Sequence, residues 1–261
     1  MSLRTCDSLL RTRDTALREL MDDPDCDPDR LATTLRRFGV VNRVVSGWGG
    51  VYRAHVRPHL ARLRHPARIL DIGSGGGDLL VRLVELAHRD GFDVVGTGID
   101  PDARALASAS ARIRPGIAFR CADAASLVAA GERFDVVVSN HVLHHLDSAE
   151  LPTFAADSLA LARGPVLHSD IARGGLAYAL YAVGITPFAA GSFLRTDGLR
   201  SIRRSYRRDE LAAALEEAAP GSWRVEERAP FRLLAVGGGA ADPAGTEGTG
   251  FTEGTGGTGR A

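Results

Sequence analysis

Three aspartates, three glycines and four histidines carry the chemistry legible in this chain. Asp71, Gly73, Gly75 and Gly77 stand at alternate positions in Ile69-Leu70-Asp71-Ile72-Gly73-Ser74-Gly75-Gly76-Gly77-Asp78, where an apolar strand ends in an acid and a helix follows. Glycine at these positions removes side chains that would keep a ligand off the backbone. The helix behind them offers unpaired N–H groups to it. A ligand with a small polar or anionic end is therefore expected across the turn. Asp100 ends a second apolar run, Asp93–Asp100, 23 residues past Gly77. At about that spacing α/β cofactor folds place the carboxylate that takes ribose hydroxyls. Pro101 behind it also makes Asp100 a helix-starting residue. Asp123 lies near the end of a third run, Ile117–Ala124, and a fourth, Phe134–Asn140, opens into the cleft at Ser139 and Asn140.

Two cofactors fit a glycine turn of this kind. A dinucleotide frame, G-x-G-x-x-G/A begun at Gly73, puts Asp78 in the last slot, where its charge faces a pyrophosphate with the wrong sign. The frame D-x-G-x-G-x-G fits without a misplaced residue. In that form the stretch resembles motif I of the class I S-adenosylmethionine (SAM) dependent methyltransferases, and the resemblance runs over roughly residues 67–236. It implies SAM as cofactor, held by Asp71, Gly73, Ser74, Gly75 and Gly77 at its methionine end. It further implies Asp100 and Pro101 at the ribose, Asp123 and Ala124 at the adenine, and Asn140 closing the site. Within the family the chain looks most like the small-molecule branch that includes ubiquinone/menaquinone-biosynthesis and polyketide-tailoring enzymes. The turn Ser139-Asn140-His141-Val142 lacks the N/D-P-P-Y pattern of enzymes that methylate exocyclic base nitrogens. The implied reaction is methyl transfer to an oxygen, in second place a carbon, of a hydrophobic phenolic, quinone-like or polyketide-type molecule. A SAM-binding module without turnover and a nicotinamide-dependent oxidoreductase are the rival readings.

A hydroxyl acceptor gains from losing its proton, and histidine suits that task near neutral pH. His144, His145 and His168 are the candidate bases. His141 and His145, four apart on an expected short helix, could pair on a metal. That reading lacks a third ligand other than His168 or Asp170, and no metal is expected.

These residues need elements to hold them. Residues 67–170 alternate strand and helix, which implies a parallel sheet covered on both faces. Trp223–Glu227 and Phe231–Val236 read as two closing strands. The expected fold is α/β, the Rossmann-like seven-stranded methyltransferase sheet of order 3-2-1-4-5-7-6. Residues 1–65 read as an N-terminal helical cap, with Asp27-Pro28 starting a helix that carries Leu31, Leu35 and Phe38. Asn42, Arg43, Trp48 and Tyr52 crowd its end, either as a docking layer or as substrate contacts. Gly174–Leu194 is a run of 21 residues without a charge. Its length suits a membrane span, but Pro187, four glycines and its place inside the sheet's sequence favour a lid over a greasy substrate, lined by Tyr178, Tyr181 and Phe188. Transient membrane contact is the minor reading. Residues 195–208 hold six arginines, from which Arg195 is a candidate contact for a substrate anion; a solvated face paired with Asp197, Asp209 and Glu210 is the alternative. The domains are thus expected at 1–65, 66–236 with a lid at about 174–206, and a Gly/Thr-rich tail at 237–261 with too little apolar residue to fold.

Composition narrows the partners. The 261 residues are 44% apolar and 25% charged with formal net charge +0, and apart from the histidines all 32 basic side chains are arginine. A nucleic-acid substrate usually goes with a basic excess, so it is disfavoured. Cys6, Cys26 and Cys121 are scattered and odd in number, without metal-type spacing, and no signal peptide is legible. Both features suggest a reduced, cytoplasmic setting.

Overall fold

A computed structural model of the chain describes residues 9–238, with the side chains of 38–45 outside the description. Cys6, the tail beyond Gly238 and the side chains of Phe38, Asn42 and Arg43 therefore lie outside the described residues.

Seven strands form one sheet of order β3-β2-β1-β4-β5-β7-β6. They are β1 (Ala67–Ile72), β2 (Val94–Asp100), β3 (Ile117–Cys121), β4 (Val136–Asn140), β5 (Pro165–Ile171), β6 (Trp223–Arg228) and β7 (Arg232–Gly238). The first five run parallel; β7 enters antiparallel between β5 and β6. Strand alternation divides the apolar residues between two layers. Ile69, Val136 and Val138 join one core cluster, while Leu70 and Val137 join the other. Both faces are thus apolar and both are covered by helices, as the sequence implies.

The helices are α1 (Pro28–Val45), α2 (Trp48–Val51), α3 (Arg57–Leu60), α4 (Asp78–Arg89), α5 (Ala103–Ser110), α6 (Ala124–Ala129), α7 (Glu150–Leu161), α8 (Gly175–Gly184), α9 (Leu194–Arg204) and α10 (Arg208–Ala218). A π-helical turn, Tyr52–Val56, joins α2 to α3. In α4 the residues Leu79, Leu80, Leu83, Val84 and Ala87 are buried at helical spacing. Each of its leucines contributes about 2 kcal/mol of burial. Asp27 caps α1 as expected, its Oδ1 accepting the amides of Asp29 and Arg30 at 2.9 and 3.0 Å.

Three local expectations change. Residues 10–27 carry no helix or strand; they cross the molecule as a strap. β3 stops at Cys121, which leaves Asp123 as the N-cap of α6. His141–Leu146 forms a turn, not a helix, so His141 and His145 share no helix face. No helix among the described residues is long and apolar enough to cross a membrane.

Candidate active site at the strand carboxyl ends

The parallel strands β1 and β4 are neighbours whose connections leave in opposite directions, and ligands of such sheets bind beyond the strand ends at that point. A cavity of about 870 Å³ opens there, lined by the glycine turn, Asp100, Pro101 and Asn140, the turn after β4, the strap, the uncharged run and α9.

Gly73, Gly75 and Gly77 all have positive φ, at 68°, 50° and 79°. A Cβ on Gly73 would stand 2.6 Å from Val142, and one on Gly77 would stand 2.4 Å from Phe119. A Cβ on Gly75 would meet nothing within 4 Å. Gly73 and Gly77 are therefore packing glycines, with Gly77 outside the cavity wall, and Gly75 is the open floor. The Gly75 amide donates to Asp100 Oδ2 at 2.9 Å, and the Asp102 amide to Asp100 Oδ1 at 3.0 Å. The helix cap expected of Asp100 falls to Asp102, which accepts the Arg104 amide at 2.8 Å. Ser74 lines the cavity. Asp71 is 1% exposed, and neither carboxylate oxygen has a partner. Burial, then Asp78 and Asp100, push its carboxyl well above the usual carboxylate range.

Asp123 and Ala124 are not on the cavity wall. Asp123 is exposed and accepts the Ser126 amide at 2.9 Å, because β3 ends two residues short and hands its acid to the helix. Trp48 and Tyr52 are also displaced: both are buried in the main core cluster. Trp48 Nε1 donates to Asn140 Oδ1 at 3.1 Å, and Tyr52 Oη donates to Asp90 at 2.9 Å. Trp48 thus positions a cavity residue without touching the cavity.

Among the histidines, His168 is three residues down β5 from its end and stacks between Phe154 and Trp223. Its Nδ1 lies 2.7 Å from Ser139 Oγ, and burial pushes it down to about 3. It is a core histidine and no base for the cavity. His144 does line the cavity, but both ring nitrogens are taken, Nδ1 by Asp170 Oδ1 at 2.8 Å and Nε2 by Glu19 Oε1 at 3.1 Å. Burial opposes its charge; Asp170 and Glu19 outweigh burial and raise it to about 9. A ring held as the cation is not a free base. His145 lines the cavity between Glu19 and Asp22.

Sequence reasoning weighed His141 only as a metal ligand. It stands on the cavity wall at φ 62°. Its Nε2 accepts from Arg232 Nη1 at 2.8 Å. Burial and Arg232 keep it well below the usual histidine range, as a neutral ring. Arg232 also donates to Asn140 Oδ1 and Ser169 Oγ, and burial brings it down to about 10. Glu19 and Arg232 were missed because they reach the site from elements with no local motif.

The uncharged run folds into α8 and the turn Thr186–Phe188, and α9 follows it. Tyr181, Leu180, Ile185 and Phe188 line the cavity, whereas Tyr178 does not. Tyr181 Oη donates to Leu194 O at 2.6 Å. Arg195 is exposed and off the wall. The arginine-rich stretch divides its work: Arg208 is exposed and pairs with Asp209 at 3.0 Å, as a solvated face would, while three other arginines clamp the strap. Arg200 binds Arg18 O at 2.7 Å, Arg203 binds Asp14 at 2.6 Å, and Arg207 binds Leu10 O at 2.9 Å. Arg13 returns the grip onto Arg204 O, Tyr206 Oη and the carbonyls of Leu143, His144 and Leu146.

A model of the methyltransferase domain matches residues 69–163. The ubiquinone biosynthesis O-methyltransferase of Methylobacterium sp. (strain 4-46) is 30% identical over 205 residues, 72% of this chain and 77% of that one. The enzyme of the same name from Rhizobium etli is 30% identical over 163 residues, 60% of this chain and 61% of that one. The chain thus spans about three fifths of the length of several curated relatives. The fold is similar to that of the plantazolicin methyltransferase BpumL in complex with SAH, at 15% identity and TM-score 0.57, covering 91% of this chain and 98% of that one. Magnesium protoporphyrin IX methyltransferase (ChlM) from Synechocystis PCC 6803 is similar at 16% identity and TM-score 0.50, covering 78% of this chain and 85% of that one. On the matching domain and the relative covered over most of its length, the chain belongs to the class I SAM-dependent methyltransferases, in the small-molecule branch.

Proposed function

We propose that this protein transfers the methyl group of SAM to an oxygen of a hydrophobic phenolic, quinone-like or polyketide-type molecule, with carbon as the less favoured acceptor atom. The observation that carries the reading is Asp71, a buried carboxylate with two unpartnered oxygens on the wall of the cavity beneath the glycine turn. A buried charge without a partner is costly, and the ammonium end of SAM would supply that partner. Asp100, already oriented by the Gly75 and Asp102 amides, would take the ribose hydroxyls. The open side of Gly75 leaves room for the ligand. When bound, SAM supplies an activated methyl group.

The rest falls to the chain's own side chains. Leu31, Leu35, Leu180, Ile185 and Phe188 give the cavity an apolar wall suited to a greasy acceptor and to excluding water. An acidic phenolic hydroxyl needs no strong base, and the Arg232 guanidinium on the cavity wall would stand beside the oxygen it leaves. Positioning supplies much of the rate in such a displacement. In this reading the described residues of the N-terminal block, 9–65, cap a catalytic domain of residues 66–236 and residues 174–206 form its lid. The setting inferred is cytoplasmic, in keeping with the free Cys26 and Cys121.

The test uses methyl-labelled SAM, the purified protein and a boiled extract of the source organism, separated into organic, protein and nucleic-acid fractions. Label in the organic phase is expected. Label in either polymer would overturn the acceptor class. Tight binding of S-adenosylhomocysteine with no label anywhere would favour a binding module without turnover.

A further inference from the structure

His144 and His145 turn their Nε2 atoms toward the same carboxylate oxygen. Glu19 Oε1 lies 3.1 Å from His144 Nε2 and 3.8 Å from His145 Nε2, and one ligand atom from each of the three residues lies within 4.8 Å of the others. Behind each ring stands a second acid: Asp170 Oδ1 is 2.8 Å from His144 Nδ1, and Asp22 Oδ2 is 3.5 Å from His145 Nδ1. An ion pair alone explains His144 between two carboxylates. It does not explain a second imidazole aimed at the same oxygen with its own acid behind it.

Two imidazoles and a carboxylate, with the far nitrogens held by outer carboxylates, form a donor set for Zn²⁺, Mn²⁺ or Fe²⁺. Ligands bonded at about 2.0–2.2 Å to one ion stand roughly 3–3.5 Å apart, so the two separations from Glu19 Oε1, 3.1 and 3.8 Å, lie within a few tenths of an ångström of that spacing. Glu19 is also fixed on both sides. Arg200 holds the Arg18 carbonyl, the Leu20 and Met21 amides donate to Asp197 at 2.8 and 3.0 Å, and Ser201 Oγ donates to Glu19 Oε1 at 2.6 Å. Arg204, the cation on this side, is engaged by the His144 and His145 carbonyls and by Asp22. The other trio of ligand atoms, from His141, His144 and Asp170, has Arg232 against His141, where a metal ion would be repelled.

We propose that Glu19, His144 and His145 form a binding site for a divalent transition-metal ion, supported by Asp170 and Asp22 and open toward the cavity. On the methyltransferase reading, which this last step rests on, the open side takes a second oxygen of the acceptor and orients it by Lewis-acid contact.

The full-length protein, stripped with a chelator, is titrated with Co²⁺ and then Zn²⁺. One equivalent of Co²⁺ with visible d–d absorption, displaced by Zn²⁺, is expected. Zn²⁺ affinity falls at least about 100-fold in His145→Ala and Glu19→Gln, and about 10–100-fold in Asp22→Asn, as loss of an outer-sphere partner does. Circular dichroism checks the fold, and His145→Ala, altered at a partly exposed side chain, carries the test if Glu19→Gln unfolds. No stoichiometric Co²⁺ or Zn²⁺ binding in the wild type, or binding unchanged in His145→Ala, would overturn the site. Stoichiometric binding in a protein that methylates no small molecule would sustain the metal site and overturn the acceptor reading alone.

Discussion

Gly75 donates its amide to Asp100 Oδ2 at 2.9 Å, tying the glycine turn after β1 to the last residue of β2. The two halves of the cofactor cleft are thereby fixed to one another before any ligand arrives, which lowers the cost of binding. The three glycines of that turn should respond differently to substitution. Gly77→Ala adds a Cβ 2.4 Å from the Phe119 ring at positive φ and is expected to cost about 2–4 kcal/mol of stability. Gly75→Ala meets open space, costs about 1 kcal/mol, and weakens S-adenosylhomocysteine at least about tenfold, since its methyl enters the cleft. Urea denaturation and calorimetry on the same samples separate the two effects.

Asp71 should make the ligand-free protein sensitive to pH. Its folded carboxyl titrates well above its ordinary value of 3.8. Its contribution is therefore full below that ordinary value and is lost as pH rises through the raised folded value, because the unfolded chain releases the proton first. Asp71→Asn cannot ionise. Its melting temperature should fall less with pH than that of the wild type and exceed it at pH ~8, while its affinity for S-adenosylhomocysteine falls at least about tenfold. Melting curves from pH ~5 to ~8, with and without the ligand, check both parts.

The strap depends on Arg13, whose guanidinium reaches three carbonyls of the turn after β4 as well as Arg204 O and Tyr206 Oη. Arg13→Ala is expected to cost about 3 kcal/mol, the scale of losing charge-assisted hydrogen bonds, and to expose the strap to trypsin. Denaturation and limited proteolysis test this. A strap cleaved no faster than in the wild type would contradict the clamp.

The proposed lid can be separated from the arginines beside it. Tyr181→Phe removes the bond to Leu194 O, costs about 1 kcal/mol and raises the acceptor KM with S-adenosylhomocysteine affinity unchanged. Arg195→Ala, at an exposed residue off the cavity wall, leaves kcat/KM within about twofold. Steady-state kinetics with the identified acceptor decide both.

The glycine turn and the acid that ends β2 were legible because they are local. Asp71 through Gly77 and the strand ending at Asp100 are contiguous patterns whose geometry follows from backbone sterics. The strand order followed from the family resemblance. The acceptor half was not legible. Glu19 meets His144 across 125 residues, and Arg232 reaches His141 across 91; neither leaves a spacing in the sequence. Trp48 and Tyr52 are as apolar as substrate contacts, and only packing shows them in the core. His168 was a candidate base by residue type, but it sits three residues inside the end of β5, between Phe154 and Trp223. Asp123 ended the expected strand and in fact starts the next helix.

The most direct measurement is calorimetric titration of the wild type and Asp100→Ala with S-adenosylhomocysteine and, separately, with NAD. The expected result is one site for S-adenosylhomocysteine, weakened about 30-fold or more by loss of the carboxylate proposed to meet the ribose, roughly 2 kcal/mol, and no binding of NAD. Equal affinity in wild type and variant, or binding of NAD in place of S-adenosylhomocysteine, would contradict the assignment of this cleft to SAM.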